Sequence, residues 1–193
     1  MQFPIKTSAG IALMPADSQL LTHRKIFIEG EISAETACSF LKQVLFLNRE
    51  DAHQPIDVMV NSCGGEINSG LLMYDVIQSS TAPIRMYCAG KAYSMAAILI
   101  ACGMHGRYIL PHGELMLHQP LLGNQVGGNA SSLKSISDSL LETKAKINAI
   151  LSKHTGKSVE EIEQMTSFDH YFTAEEAVDA GLCDEICSFE HMI

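Results

Sequence analysis

Two rhythms of apolar and polar positions take turns along the chain. Lys25-Ile26-Phe27-Ile28 reads as a short strand ended by Gly30. From Ser33 onward Ala37, Phe40, Leu41, Val44 and Leu47 recur at helical spacing. Ile56 to Val60 is a second strand that runs into Asn61-Ser62-Cys63-Gly64-Gly65. Residues 66 to 80 form a further helix, with Ile67, Leu71, Tyr74, Asp75 and Ile77 marking a mostly buried face. Pro83 to Cys88 is a third strand, followed by Ala89-Gly90 and an apolar helix from about Ser94 to Cys102. Strand then helix, three times over, predicts an α/β fold built on a largely parallel sheet.

The pattern then changes. Tyr108-Ile109-Leu110 and Glu114 to Leu117 are strands joined by the turn Pro111-His112-Gly113. A glycine-bearing loop over residues 123–128 leads to Leu133, Ile136, Leu140, Ile147 and Ile150, the stripe of a long helix ending near Lys153. That helix is expected to project and pack on a partner. Ser158-x-x-Glu161 and Thr173-x-x-Glu176 each fit a capping box and open two shorter helices. Residues 1–20, with Pro4, Gly10 and Pro15, lack periodicity and are expected to form an N-terminal arm or loop. The whole of 1–193 reads as one domain, with 124–154 as projecting loop and handle helix.

Composition narrows the function classes. Hydrophobic residues make up 47% of the chain and charged ones 18%, which suits a globular body with a sizeable core. Ten Met and no Trp suggest apolar surface buried against further copies of the chain. A net charge of −9 without a Lys/Arg cluster excludes a nucleic-acid surface. The longest apolar run, Ala96 to Cys102, is too short for a membrane span. The six cysteines form no C-x-x-C pair and are expected to be buried free thiols. Cys183 and Cys187 lack the partners of a metal site, so no metal is expected. No basic start with an apolar stretch and cleavage site is seen, and a reducing cytoplasm is the expected location.

Three segments carry residue types that a serine hydrolase needs: Ala92-Tyr93-Ser94-Met95-Ala96, Met116-Leu117-His118-Gln119-Pro120 and Ser167-Phe168-Asp169-His170-Tyr171-Phe172. A hydroxyl needs a base to become a nucleophile, the base needs a carboxylate, and the tetrahedral intermediate needs backbone N–H donors. Ser94 opens a helix and serves equally well as a plain N-cap. His118 ends a strand, where α/β folds present site residues, yet seven other histidines exist. Asp169 also reads as a turn residue, with Asp179 and Asp184 as competing carboxylates. Gly64-Gly65 reads as an ordinary turn or as a place of close backbone approach. Spacing alone leaves each of these alternatives open.

Together the motifs resemble those of the ClpP family, the proteolytic subunit of the caseinolytic serine protease. The likeness spans about residues 17 to 187. It rests on Gly90-Lys91-Ala92-Tyr93-Ser94-Met95-Ala96-Ala97, Met116 to Leu121, His154-Thr155-Gly156, and Phe168 to Phe172 followed by Glu176-Ala177 and Gly181-Leu182. The resemblance implies a ClpP/crotonase-like spiral core of repeated ββα-type units with a long helix for ring-to-ring contact. It implies Ser94 as nucleophile, His118 as general base and then acid, and Asp169 as the residue that orients it. The N–H groups of Gly65 and Met95 would form the oxyanion hole. Gly64, Gly65, Glu66, Ile67, Gln119, Pro120 and Leu121 would clamp an extended peptide by backbone hydrogen bonds.

The same resemblance implies two stacked heptameric rings enclosing the sites, fed with unfolded polypeptide by a hexameric AAA+ unfoldase. No G-x-x-x-x-G-K-[ST] loop is present, so no cofactor is expected and ATP would be used by the partner alone. Several positions depart from the family. Cys63 replaces a proline and Ala96 a glycine. Asp57 and Met59 stand where aromatic rings form the unfoldase docking pocket, which is therefore divergent. Phe168 replaces an arginine that pairs across the ring-to-ring contact. Beside an active endopeptidase stand two other readings: a catalytically weak subunit that modulates an active paralogue in a mixed ring, and a crotonase-type acyl-CoA enzyme.

Overall fold

The structure, a computed structural model, describes residues 2–7, 10–123 and 127–193. Of the expected glycine loop, residues 124–126 lie outside the described residues. The chain opens with β1 (Gln2–Thr7) and β2 (Gly10–Pro15), an antiparallel hairpin, and α1 (Ala16–Thr22). Within the expected arm the backbone thus takes a regular form that the sequence pattern does not announce, for a physical reason. The hairpin is held by its own backbone ladder, and the apolar Phe3, Ile11 and Leu13 remain exposed, so these side chains mark no core-facing side.

The main sheet is built from β3 (Lys25–Ile32), β4 (Ile56–Gly65), β5 (Ile84–Tyr93), β6 (Arg107–Ile109) and β9 (Glu185–Ile186), in that order and all parallel. The crossovers are α2 (Ala34–Glu50), α3 (Ile67–Ser79) and α4 (Met95–Ala101). The predicted α/β architecture with a mostly parallel sheet is the observed one. Ser33 caps α2 by accepting the Thr36 N–H, and Ala37, Phe40, Val44 and Leu47 are its buried face. All seven residues of α4 are buried, as befits a helix apolar on every side.

In α3 Ile77 is buried and Ile67, Leu71 and Tyr74 pack half-buried against the core as expected, with Ser69, Gly70 and Met73 buried beside them, whereas Asp75 is exposed. Gly70 brings this helix close to its neighbour. A Cβ there would lie 2.1 Å from Met95 Cγ, so its bare backbone lets α3 close onto α4.

Three strands run past the ends expected for them, to Ile32, Gly65 and Tyr93. Glycine reads locally as a breaker, yet Gly30 and Gly64 stay in the ladder, with an irregularity between Gly30 and Glu31. The extension of β5 shapes the site. Its first half, Met86 to Cys88, pairs with β6, whereas Lys91 to Tyr93 pairs with β7 (Glu114–Leu117). β7 in turn pairs antiparallel with β8 (His170–Phe172). The sheet forks at Ala89-Gly90, and a small sheet of β5, β7 and β8 leaves the main one.

The long helix is α5 (Ala130–Thr155), ended by Gly156 in the left-handed region. Its buried residues are Ile147, Asn148 and Leu151, all near its C-terminus, while Leu133 and Leu141 are exposed. α6 (Val159–Thr166) and α7 (Ala174–Asp179) begin with the two expected capping boxes, both fully formed. Among the cysteines, Cys88, Cys102, Cys183 and Cys187 are buried, but Cys38 and Cys63 are exposed, which corrects the expectation for those two. Burial pushes the Cys88 thiol up to about 11 and that of Cys102 to about 12.

Candidate active site

Ser94 sits between the last residue of β5 and the first of α4, with φ 54° and ψ −122°. A non-glycine residue at positive φ costs on the order of 1–3 kcal/mol and persists only where its surroundings dictate it. Here the Ser94 N–H donates to Met116 O at 2.8 Å, and Ser94 O accepts from Ile98 N at 3.2 Å. An ordinary N-cap is extended and turns its hydroxyl back onto the helix. Ser94 makes no such cap bond. The sharp strand-to-helix turn instead aims Oγ at His118 Nε2, 2.8 Å away.

His118 follows the last residue of β7 and is half-buried. Its Nδ1 is buried and has no hydrogen-bond partner among the described residues. Asp169 is exposed and makes no bond to that nitrogen. The backbone nevertheless brings the two close. β7 and β8 pair Leu117 with His170, so one further antiparallel step sets His118 opposite Asp169. Ser94 and His118 are joined; the carboxylate stands at the adjoining strand end with its side chain in solvent.

Gly64 and Gly65 are strand residues, not a turn. Gly64 has φ 85°, and a Cβ there would lie 2.5 Å from Tyr93 O, 2.9 Å from Ser94 Cβ and 3.0 Å from Met95 N. Close approach to the elbow is therefore what this glycine permits. At Gly65 a Cβ would lie 2.2 Å from Ile32 O. Ser62, fully buried, secures this end of β4: its hydroxyl donates to Gly30 O at 2.5 Å and accepts the Gly64 N–H at 3.0 Å. No pattern in the sequence singles out Ser62 or Gly70. Met95 is buried, and its N–H lies in the first turn of α4, where the backbone donors have no intrahelical acceptor.

Glu66 is exposed and accepts from Ser69 Oγ at 2.6 Å. Gln119 is exposed and donates to Ser167 O at 3.2 Å; Pro120 is half-buried. Ile67, Asn68, Leu121 and Leu122 share a groove of about 490 Å³ with Ile136 and Leu140 of α5. Among the described residues there is no cluster of three or more metal-type side chains, and no helix long and apolar enough to cross a membrane.

A second groove, of about 760 Å³, opens on the main sheet. At its floor Asp57 pairs with Arg85 Nε at 2.6 Å and Lys25 Nζ at 3.4 Å, next to the buried Met59. Phe168, far from this groove in sequence, is 86% exposed.

The strained serine elbow, its histidine partner and the glycine strand against them are the parts of a covalent hydrolase, and a comparison with protein families agrees. The family model for Clp protease matches residues 11–190 of the 193. The chain belongs to the Clp protease family. Clp proteases are serine peptidases, and membership gives the acyl-CoA reading no support. The forked α/β sheet and the long helix of this chain are in keeping with the fold of the Clp protease family.

Proposed function

We propose that the chain is a serine endopeptidase that cuts unfolded polypeptides into short peptides. The 2.8 Å bond between Ser94 Oγ and His118 Nε2 at a strained elbow carries the reading. Ser94 Oγ attacks the scissile carbonyl while His118 takes its proton; His118 then protonates the leaving amine, and a water releases the acyl group by the same relay. The N–H groups of Gly65 and Met95 hold the oxyanion. Asp169 turns in from the strand end opposite His118 to accept the Nδ1 proton, which lacks a partner among the described residues. Residues 64–67 and 119–121 hold the substrate backbone, and the groove beside Ile67 and Leu121 takes an apolar side chain. No cofactor enters this chemistry.

Members of the Clp protease family generally form rings that work with AAA+ unfoldases. For this chain the reading is two stacked heptameric rings closing over the sites, with ATP hydrolysis confined to the unfoldase. The groove over Met59 is the docking place, with the Asp57–Arg85–Lys25 ion cluster in place of aromatic rings. Ser94→Ala is expected to abolish both fluorogenic-peptide cleavage and fluorophosphonate labelling. Survival of either removes Ser94 from the mechanism.

One observation favours the second reading, a weak subunit that modulates an active paralogue in a mixed ring. Among the described residues no group pairs with His118 Nδ1 to orient the imidazole. That reading expects little turnover from the chain alone and a rise on co-assembly; full turnover alone rejects it.

A further inference from the structure

The small forked sheet has little backbone to hold it. β7 has four residues and β8 three, yet together with the end of β5 they set the relation of Ser94 to His118. A strained elbow needs something beyond this to hold it in place. Tyr93, directly before Ser94, touches the segments that carry all three expected catalytic residues. Its hydroxyl donates to the Glu114 carboxylate, and Glu114 opens the strand that ends at His118. Its ring meets the Tyr171 ring edge-on, with centroids 5.7 Å apart, and Tyr171 lies two residues after Asp169. Lys91 Nζ stands 5.6 Å from the same ring. In the ladder Tyr93 is opposite Met116, and Met116 is opposite Tyr171, so the ring spans three adjacent strands on one face.

A phenol donating to a carboxylate is a charge-assisted bond, stronger than a neutral one. The bond to Glu114, aided by burial, pushes the Tyr93 phenol up to about 12, so the donor keeps its proton at neutral pH. Sequence reasoning passed over both residues because neither is a nucleophile or a base for the reaction.

We infer that Tyr93 is a positioning residue whose hydroxyl, through Glu114, keeps the Ser94 elbow in register with the strand that presents His118. The inference rests on the peptidase reading. The test uses the full chain, a fluorogenic apolar peptide and a small fluorophosphonate. Tyr93→Phe removes only the hydroxyl, and kcat is expected to fall about tenfold at unchanged KM and unchanged Tm. Labelling of Ser94 should slow by the same factor, because the probe reads the elbow and not the peptide clamp. Glu114→Ala should match it, Glu114→Gln should restore most of the loss because its amide oxygen still accepts, and the double variant Tyr93→Phe with Glu114→Ala should be no worse than either single.

Wild-type kcat in Tyr93→Phe overturns the inference, as does a raised KM at constant kcat, which would mean substrate contact. A defect in Tyr93→Phe that Glu114→Ala does not share also overturns it. If Tyr93→Phe fails to fold, the two Glu114 variants carry the same comparison. Ser94-independent turnover in the parent protein is the separate result that would bring down the peptidase reading, and this inference with it.

Discussion

Replacing Gly64 by alanine adds one methyl group where β4 runs closest to the nucleophile elbow. The new Cβ would meet Tyr93 O at 2.5 Å, Ser94 Cβ at 2.9 Å and Met95 N at 3.0 Å, all of them backbone or backbone-proximal atoms. To restore ordinary contact the elbow must retreat by about 0.4–0.9 Å. A misplacement of about 1 Å between reacting groups costs on the order of a hundredfold in rate, so kcat is expected to fall roughly 30- to 100-fold. Stability should fall by about 2–4 kcal/mol, from the clash together with the left-handed φ of 85°.

Gly156→Ala separates the two contributions. Gly156 has φ 75° and nothing within 4 Å of an added Cβ, so it should lose about 1 kcal/mol and no kcat. The assay is peptide hydrolysis and fluorophosphonate labelling well below the Tm of each variant, with Tm measured in parallel. Wild-type kcat in Gly64→Ala would refute the account of the glycine pair as an elbow support. Equal loss of activity in Gly156→Ala would do the same.

Asp169→Asn should lower kcat on the order of a thousandfold with little change in KM, because the amide cannot hold the imidazolium; unchanged kcat at saturating peptide would remove Asp169 from the relay. His154, whose Nε2 lies 3.3 Å from Tyr74 Oη, is held below its ordinary value by burial first and then by the charges of Lys153 and Arg107. The fold favours the neutral ring and the unfolded chain takes up a proton as pH falls through about 6.5, so stability should drop below that pH. Urea midpoints at about pH 7.5 and 5.5 should converge in His154→Gln relative to the parent; an equal gap in both would count against this origin. Ser158→Ala removes the side-chain half of the α6 capping box and should lower stability by about 1 kcal/mol, seen as a Tm lower by about 2–4 °C.

Much of the fold was legible in the sequence because its causes are local. Ser33 with the apolar spacing of α2, and the paired Ser158–Glu161 and Thr173–Glu176 boxes, act within one or two turns. Strand ends were less legible, since Gly30 and Gly64 look like breakers until a neighbouring strand supplies the pairing. The three-residue β8 and two-residue β9 have too few positions for any period to show. On α3 the close approach to α4 is made at Gly70, which has no side chain to register as apolar, so the apolar pattern marks the core face without marking that contact.

The sequence by itself determined the residue types and order of the site: a serine at a strand-to-helix junction, a histidine at a strand end, and a glycine pair after a strand. These follow from propensity, capping and periodicity, which act over a few neighbours. Tertiary structure decided that Ser94 takes a positive φ and turns its hydroxyl to His118 rather than capping its helix. It also decided that Gly64 is needed for approach to the elbow and not for a turn, and that Asp169 and His118 each stand one residue beyond the same end of the β7–β8 ladder, with the Asp169 side chain in solvent. Those outcomes depend on strands tens of residues apart meeting in register, and no window of sequence contains both partners.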